Sequence, residues 1–125
     1  MIIQTLQQKF TVCKVKPGAV LPLEAPFCFI GKTDQELSLV CPTEYVPAET
    51  IARKDGWRGL RIEGTLDFSL VGILSDISSQ LAAAGISIFA VSTFDTDYIL
   101  VKETQFIPAL KTLRSAGYQL KGDII

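Results

Sequence analysis

Five apolar residues between Gly64 and Gly85 recur at the spacing of one helix face, and this pattern constrains the fold most. They are Leu70, Ile73, Leu74, Ile77 and Leu81. The spacing i, i+3, i+4, i+7 and i+11 makes a single apolar stripe. Ser69 is suited to cap the start of this helix, and Gly85 to end it in a left-handed conformation. Because such a stripe has to be buried, another layer of secondary structure must cover it.

Strand patterns lie on both sides of this helix. Apolar and polar residues alternate over 57–63, which is typical of a half-buried strand. After the helix, 86–93 and 98–103 are two β-rich runs. The short polar residues between them suit a tight reversal, so the two runs predict a β-hairpin.

A second helix is predicted from near Thr104 to Gly117, with Pro108 in its first turn. Its apolar side is predicted to carry Phe106, Ile107, Leu110 and Leu113. A strand at 118–121 completes the order β-α-β-β-α-β. This order predicts an α+β protein with the ferredoxin-like arrangement, in which both helices cover one face of an antiparallel sheet.

The N-terminal part has a different character. Strand patterns occur at 10–15, 27–32 and 37–41, separated by turns rich in proline and polar residues. The prolines leave room for a helix only at 48–54. We therefore predict a reduced, β-rich half over residues 1–55 and a complete ferredoxin-like half over 56–125.

Charge and composition exclude several classes of function. The 125 residues carry 12 basic and 13 acidic side chains, a net charge of -1. No long-range positive field is expected, so binding to nucleic acid or to a membrane surface is not predicted. The first ten residues lack the charged and apolar regions of a signal peptide, so we expect a cytoplasmic protein.

Catalytic and metal-binding groups are scarce. The chain has no histidine, no G-x-S-x-G motif and no phosphate-binding loop. Cys13, Cys28 and Cys41 lie in apolar runs at spacings unlike a zinc signature, so buried, reduced thiols are predicted. Asp95, Thr96 and Asp97 alone offer too few oxygens for calcium. We predict no enzyme, no cofactor and no metal.

Two polar features could together form a ligand site. Backbone N–H groups at the start of the first helix, around Gly72, can bind an anion. At the facing ends of the two hairpin strands, the hydroxyls of Ser92, Thr93 and Thr96 and a carboxylate such as Asp97 can hold an ammonium or guanidinium group. Each feature also has a purely structural explanation, since glycine permits close packing and polar residues build turns. Together they suit a zwitterion such as an amino acid.

Three segments of the sequence resemble an ACT domain: 66–74 (LDFSLVGIL), 85–93 (GISIFAVST) and 96–101 (TDYILV). The resemblance is strongest over 56–121. It is closest to small bacterial ACT-like proteins, related to the regulatory domains of aspartate kinases and to cytosolic arginine sensors. The segments 34–42 and 46–47 resemble the companion ACT-like half more weakly.

The resemblance implies a regulatory module that binds a small amino acid or similar zwitterionic metabolite where two ACT modules meet side by side. Carried over by motif, the ligand-binding positions are Phe68, Ser69, Leu70, Val71, Gly72 and Ile73 near the helix start, and Ser92, Thr93, Thr96 and Asp97 at the facing strand ends. The implied partners are the amino acid and either a second copy of the chain or a regulated protein. One alternative is an assembly module with a vestigial pocket, and the least favoured is an enzyme of unrecognised type.

Overall fold

The computed structural model describes residues 2–63 and 72–122. Its contacts divide the chain into two compact units. The smaller unit holds residues 8–57, and the larger unit joins the residues up to 7 with those from 58 onward. The division therefore differs from the predicted halves, 1–55 and 56–125, chiefly in where the first residues belong.

The larger unit has the predicted ferredoxin-like order, and that prediction is confirmed. Its elements are the first part of β1 (Ile2–Val15), the last part of β4 (Ala52–Glu63), α1 (Ile73–Ala83), β5 (Ile88–Ser92), β6 (Asp97–Lys102), α2 (Phe106–Ser115) and β7 (Gln119–Lys121). The strand order is β7-β1-β4-β6-β5. β5 and β6 form the predicted antiparallel hairpin.

The N-terminal residues supply a strand that the sequence patterns did not predict. Ile2 to Gln4 of β1 pair in parallel with Gln119 to Lys121 of β7. The Thr5 hydroxyl donates to the Lys121 carbonyl at 3.2 Å. This pairing is why the first residues belong to the larger unit.

The glycines at the helix ends behave largely as predicted. Gly85 and Gly117 have φ values of 75° and 98°. After each, the next residue donates its N–H back into the helix, from Ile86 to Leu81 at 2.9 Å and from Tyr118 to Leu113 at 3.1 Å. The start of α1 differs from the prediction. Gly72 precedes the first helical residue with φ 98°, a left-handed conformation, so Gly72 and not Ser69 is the N-cap.

One core cluster joins both helices to the sheet of the larger unit. It contains Ile3, Leu60, Ile62, Ile77, Leu81, Ile86, Ile99, Val101, Phe106, Ala109, Leu110 and Leu113. Ile73 and Leu74 pack against it from the first turn of α1, as the stripe predicts. Ile107 was wrongly predicted to be on the apolar side, since it is 43% exposed. The buried face of α2 follows positions 106, 109, 110 and 113, and position 107 lies off that face.

The smaller unit has the strand order β2-β3-β1-β4, with β2 at Phe29–Lys32 and β3 at Leu37–Pro42. Its core contains Cys13, Val15, Leu37, Leu39 and Cys41, and five residues outside the strands pack against it: Ala19, Leu21, Cys28, Tyr45 and Val46. The predicted strands at 10–15 and 37–41 are found there, and the strand predicted at 27–32 begins at Phe29. The segment 48–54, where the prolines left room for a helix, does not form one. Ala52 already begins β4, and Ile51 N–H donates to the Lys14 carbonyl at 2.8 Å.

The two units contain hairpins built in the same way. Thr33 N–H donates to the Glu36 carbonyl at 2.9 Å in the β2–β3 turn, and Thr93 N–H donates to the Thr96 carbonyl at 2.8 Å in the β5–β6 turn. A short 3-10 helix follows each hairpin, at Thr43–Tyr45 and at Glu103–Gln105. Thr33 and Thr93 therefore hold corresponding positions.

A buried hydroxyl anchors a carboxylate in the smaller unit. Thr11 is fully buried, and its Oγ1 donates to Oδ1 of Asp55 at 2.6 Å. Arg53 donates to the same oxygen from Nη2 at 2.8 Å and from Nε at 3.3 Å. The hydrogen bonds from Arg53 and from Thr11 lower the pKa of Asp55.

We predict that Asp55→Asn changes how stability depends on acid pH. Because the folded-state pKa is depressed, this contribution is present above the unfolded pKa and is lost as pH falls through the folded pKa. The free energy of unfolding, measured by urea titration between about pH 2 and pH 6, should fall less steeply with acid in the variant. Asp34→Asn, in the exposed β2–β3 turn, is the control. Identical slopes in wild type and Asp55→Asn would contradict the prediction.

A second prediction concerns the close approach of β7 to β1. Gly122 has φ 104°, and a Cβ there would lie 2.7 Å from Thr5 Oγ1 and 2.9 Å from the Thr5 carbonyl oxygen. Gly122→Ala should therefore lower the free energy of unfolding by about 1–3 kcal/mol. In Gly31→Ala, the matched control, the new Cβ lies 3.9 Å from Ser38 Cβ, an ordinary contact. Chemical denaturation of both variants checks this, and equal stabilities would refute it.

Candidate functional site

The polar residues of the hairpin gather at one end of the larger sheet. Ser92 ends β5 and Asp97 begins β6, directly opposite one another in the register. Thr93 and Thr96 close the turn between them, and the Thr93 hydroxyl donates to the Thr96 carbonyl at 2.9 Å. Ser92 and Thr93 are exposed, whereas Thr96 and Asp97 are half-buried. The structure thus brings these four predicted residues together.

A side chain–backbone hydrogen bond ties this turn to the end of β4. The Thr96 hydroxyl donates to the carbonyl of Ile62, next to the last residue of that strand. Side chains alternate along β6, so Asp97 lies on the same face as Ile99 and Val101. Both belong to the core that the helices cover. Asp97 therefore starts the helix-covered face of β6.

The first turn of α1 offers backbone donors that have no partner within the helix. The first intrahelical bond runs from Asp76 N–H to the Gly72 carbonyl, at 2.8 Å. The N–H groups of Ile73, Leu74 and Ser75 precede it and have no partner within the helix. Among the described residues, the donors predicted around Gly72 are therefore those of 73–75. Of the predicted positions, Gly72 and Ile73 are described, whereas Phe68, Ser69, Leu70 and Val71 lie outside the described residues.

Two contacts link the first turn of α1 and the end of β4 to β7. The Tyr118 hydroxyl, next to β7, donates to Oδ2 of Asp76. Burial, and then this bond, raises the pKa of Tyr118 to about 12, so the phenol remains a donor at neutral pH. Lys121 Nζ of β7 lies 3.3 Å from Glu63 Oε2 at the end of β4. Side chains thus join the start of α1 to the residue before β7, and the end of β4 to the last residue of β7.

These contacts include residues that the sequence patterns did not single out. Tyr118 directly follows the helix-ending Gly117, so its place beside α1 had a weak sequence signal. The carbonyl of Ile62 had none, because every residue carries one. A cavity shared by Ile73 and Asp97 stays a prediction. Two surface grooves lie elsewhere, one of about 380 Å³ lined by Gln80, Lys111, Thr112, Ser115 and Ala116, and one of about 190 Å³ lined by Gln8, Lys9, Pro42, Thr43 and Glu44.

The cysteines are packed in the core of the smaller unit, as predicted. Cys13 and Cys41 are buried, Cys28 is half-buried, and all three are free thiols. Burial is the main cause that raises the pKa of each, and it raises that of Cys41 to about 12. Such thiols stay protonated and are poor nucleophiles. Within residues 2–63 and 72–122, no three Cys, Asp or Glu side chains are grouped as a metal ion requires.

None of the helices in the described ranges is both long enough and apolar enough to cross a membrane. The sequence model of the ACT domain family matches residues 52–115. The chain therefore belongs to the ACT domain family, as its sequence motifs predict. No curated protein matches the sequence.

Solved structures extend the likeness to nearly the whole chain. Protein Atu0741 from Agrobacterium tumefaciens is 30% identical with a TM-score of 0.85, over 95% of this chain and 90% of that one. The aspartokinase alpha and beta subunits share 18% identity at a TM-score of 0.65, over 93% and 97% of the two chains. The regulatory subunit of aspartate kinase from Thermus thermophilus shares 10% identity at 0.64, over 92% and 96%. The last two show likeness of fold alone.

Proposed function

We propose that this protein is a non-catalytic regulatory module that binds a small amino acid or similar zwitterion where two ACT modules meet. The ligand carboxylate binds the backbone N–H groups at the start of α1. Its cationic group binds Asp97, with Ser92, Thr93 and Thr96 beside it. Each of the two compact units acts as an ACT-like half.

The observation that carries this proposal is the bond from Thr96 to the Ile62 carbonyl. It holds the Asp97 end of the hairpin at the point where β4 leads into the segment before α1. A carboxylate acceptor and a set of backbone donors at one end of a sheet match the two charges of an amino acid. The regulatory subunit of aspartate kinase, which has the same fold, supports the regulatory character by analogy.

The repeated hairpin supports the two-half organisation. Thr33 and Thr93 hold their turns alike, and each hairpin leads into a 3-10 helix. Residues outside the strands pack against the core of the smaller unit, whereas two helices pack against the core of the larger unit. The helix start that the ligand carboxylate needs therefore lies in the larger unit.

Regulation follows from linkage between ligand binding and assembly. A ligand held by two modules stabilises their docked arrangement by its difference in affinity for the docked and separate forms. The regulated event is then association, either with a second copy or with a partner protein. We place the protein in the cytoplasm.

The second candidate is an assembly module whose pocket is vestigial. It is favoured by one observation, the complete exposure of Phe94 at the tip of the β5–β6 turn. A thermal-shift screen against the common amino acids separates the two functions. A stabilising ligand supports the regulatory module, and none supports the assembly module.

Asp97→Asn should abolish stabilisation by the amino acid found in that screen. The reason is that the neutral amide cannot balance the ligand's cationic group, whereas a half-buried strand-end side chain of the same size preserves the fold. The measurement is the rise in Tm on titrating the ligand into each variant. Stabilisation of about 2.7 kcal/mol at a hundred-fold excess over Kd is expected for wild type.

Asp95→Asn is the matched control, since it removes an exposed carboxylate from the same turn and should leave the response intact. A full ligand response in Asp97→Asn would remove that residue from the site. Equal loss in both variants would show a general effect of turn charge instead of a specific contact.

A further inference from the structure

The three cysteines gather on one face of the sheet in the smaller unit. β1 pairs with β3 so that Cys13 lies opposite Leu39, and Thr11 lies opposite Cys41. Directly opposite residues lie on the same face of a sheet, and so do residues two apart along one strand. Cys13 and Cys41 therefore share the core face, where both are buried. Cys28 packs against the same core from outside the strands.

The register of the β2–β3 hairpin brings Cys28 to Cys41. The pair at the start of β2 is Phe29 with Val40. One further step along the same register sets Cys28 opposite Cys41, and β3 continues past Cys41. Burial, and then the charges of Cys13 and Cys28, raise the pKa of Cys41 to about 12. Such charge effects act only over short distances, so the three sulfur atoms are near one another.

Strand geometry decides which of these thiols can be bridged. Residues directly opposite in an antiparallel pair have Cα atoms about 4.5–5.5 Å apart, within the range of about 4.4–6.8 Å found in disulfides. Cys28 and Cys41 meet this condition. Cys13 and Cys41 are diagonal neighbours, about 7–8 Å apart, and a bridge beyond about 7 Å would require the backbone to move. Cys28 is therefore the partner for Cys41.

Cys28 also offers a reagent the best way in. It is half-buried, whereas Cys13 and Cys41 are 4% and 0% exposed. Burial, and then the charge of Glu24, raise the pKa of Cys28, so only a small fraction is thiolate at neutral pH. The thiolate is the species that attacks a disulfide. Reaction of the folded protein should therefore begin at Cys28 and proceed slowly at neutral pH.

We propose that Cys28 and Cys41 form a reversible disulfide by exchange with a small disulfide such as oxidised glutathione. The Cys28 thiolate attacks one sulfur of the reagent, breaks its S–S bond and releases one small thiol. The Cys41 thiolate then attacks the sulfur of Cys28 in this mixed disulfide and releases the second small thiol. The protons that the two cysteines lose end on the two released thiols. The protein is oxidised by two electrons, and the small disulfide is reduced.

The bridge ties the segment before β2 to the end of β3. It restricts the unfolded chain between residues 28 and 41, so the oxidised protein should unfold at a higher urea concentration. Excess dithiothreitol should restore the lower urea midpoint. The smaller unit thus responds to the balance between small disulfides and thiols, and this response does not require the proposed amino-acid ligand.

Peptide mapping after oxidation tests the proposed pair. Lys14 and Lys32 separate the three cysteines, so trypsin leaves Cys13, Cys28 and Cys41 on different peptides. The folded chain is incubated with oxidised glutathione, and the remaining thiols are then blocked with N-ethylmaleimide in denaturant. Wild type should yield the peptide pair joined through Cys28 and Cys41, with Cys13 blocked. Three blocked thiols, a glutathione adduct that persists at Cys28, or a bridge through Cys13 would each overturn the proposal.

Serine variants separate the two steps. Cys41→Ser should accumulate the glutathione adduct at Cys28, because the second thiol is missing. Cys28→Ser should keep both remaining thiols free, whereas Cys13→Ser, the matched control, should form the bridge as wild type does. Circular dichroism checks that each variant folds. Oxidation of Cys28→Ser at the wild-type rate contradicts the proposal, and the wild-type peptide map decides it even where a variant does not fold.

Discussion

The larger unit depends on the parallel pairing of its first and last strands. Ile2 to Gln4 lie between β7 and β4, and Ile3 contributes to the common core. The close fit of Gly122 against Thr5 and the bond from Thr5 to the Lys121 carbonyl hold β7 in place. Tyr118 precedes β7 and holds Asp76 in the first turn of α1. The β1–β7 pairing thus supports the start of the helix that the candidate site needs.

The elements that local sequence patterns predicted are present in the structure. The stripe of α1, the glycine stops at Gly85 and Gly117 and the β5–β6 hairpin are local signals, because a few neighbouring residues determine them. The strand at 2–9 had no such signal, since its role comes from pairing with residues more than a hundred positions away. The helix considered at 48–54 failed for the same reason. Ile51 N–H pairs with the Lys14 carbonyl of β1, and residues 52–54 belong to β4.

The candidate site was predictable in its residue types and less so in its arrangement. Polar residues between two apolar strands indicated the cluster from Ser92 to Asp97, which the register brings together. The exact start of α1 was not predictable from the stripe, because Leu70 fits the helical spacing. The left-handed conformation of Gly72 sets the boundary two residues after Leu70. Backbone conformation therefore decides which N–H groups are donors, and the apolar pattern cannot reveal it.

The pairing of Ile2 with Gln119 also sets an order of events during synthesis. On the ribosome, residues 8–57 emerge with all the strands of the smaller unit before α1 has been made. The larger unit cannot complete its sheet until β7 has been made, so Ile2 to Gln4 lack their β7 partners until then. Contacts of such high sequence separation slow folding, because the chain must close a long loop first. The strands of the smaller unit are therefore available for pairing before the sheet of the larger unit can be completed, and residues 2–4 meet β7 only afterwards.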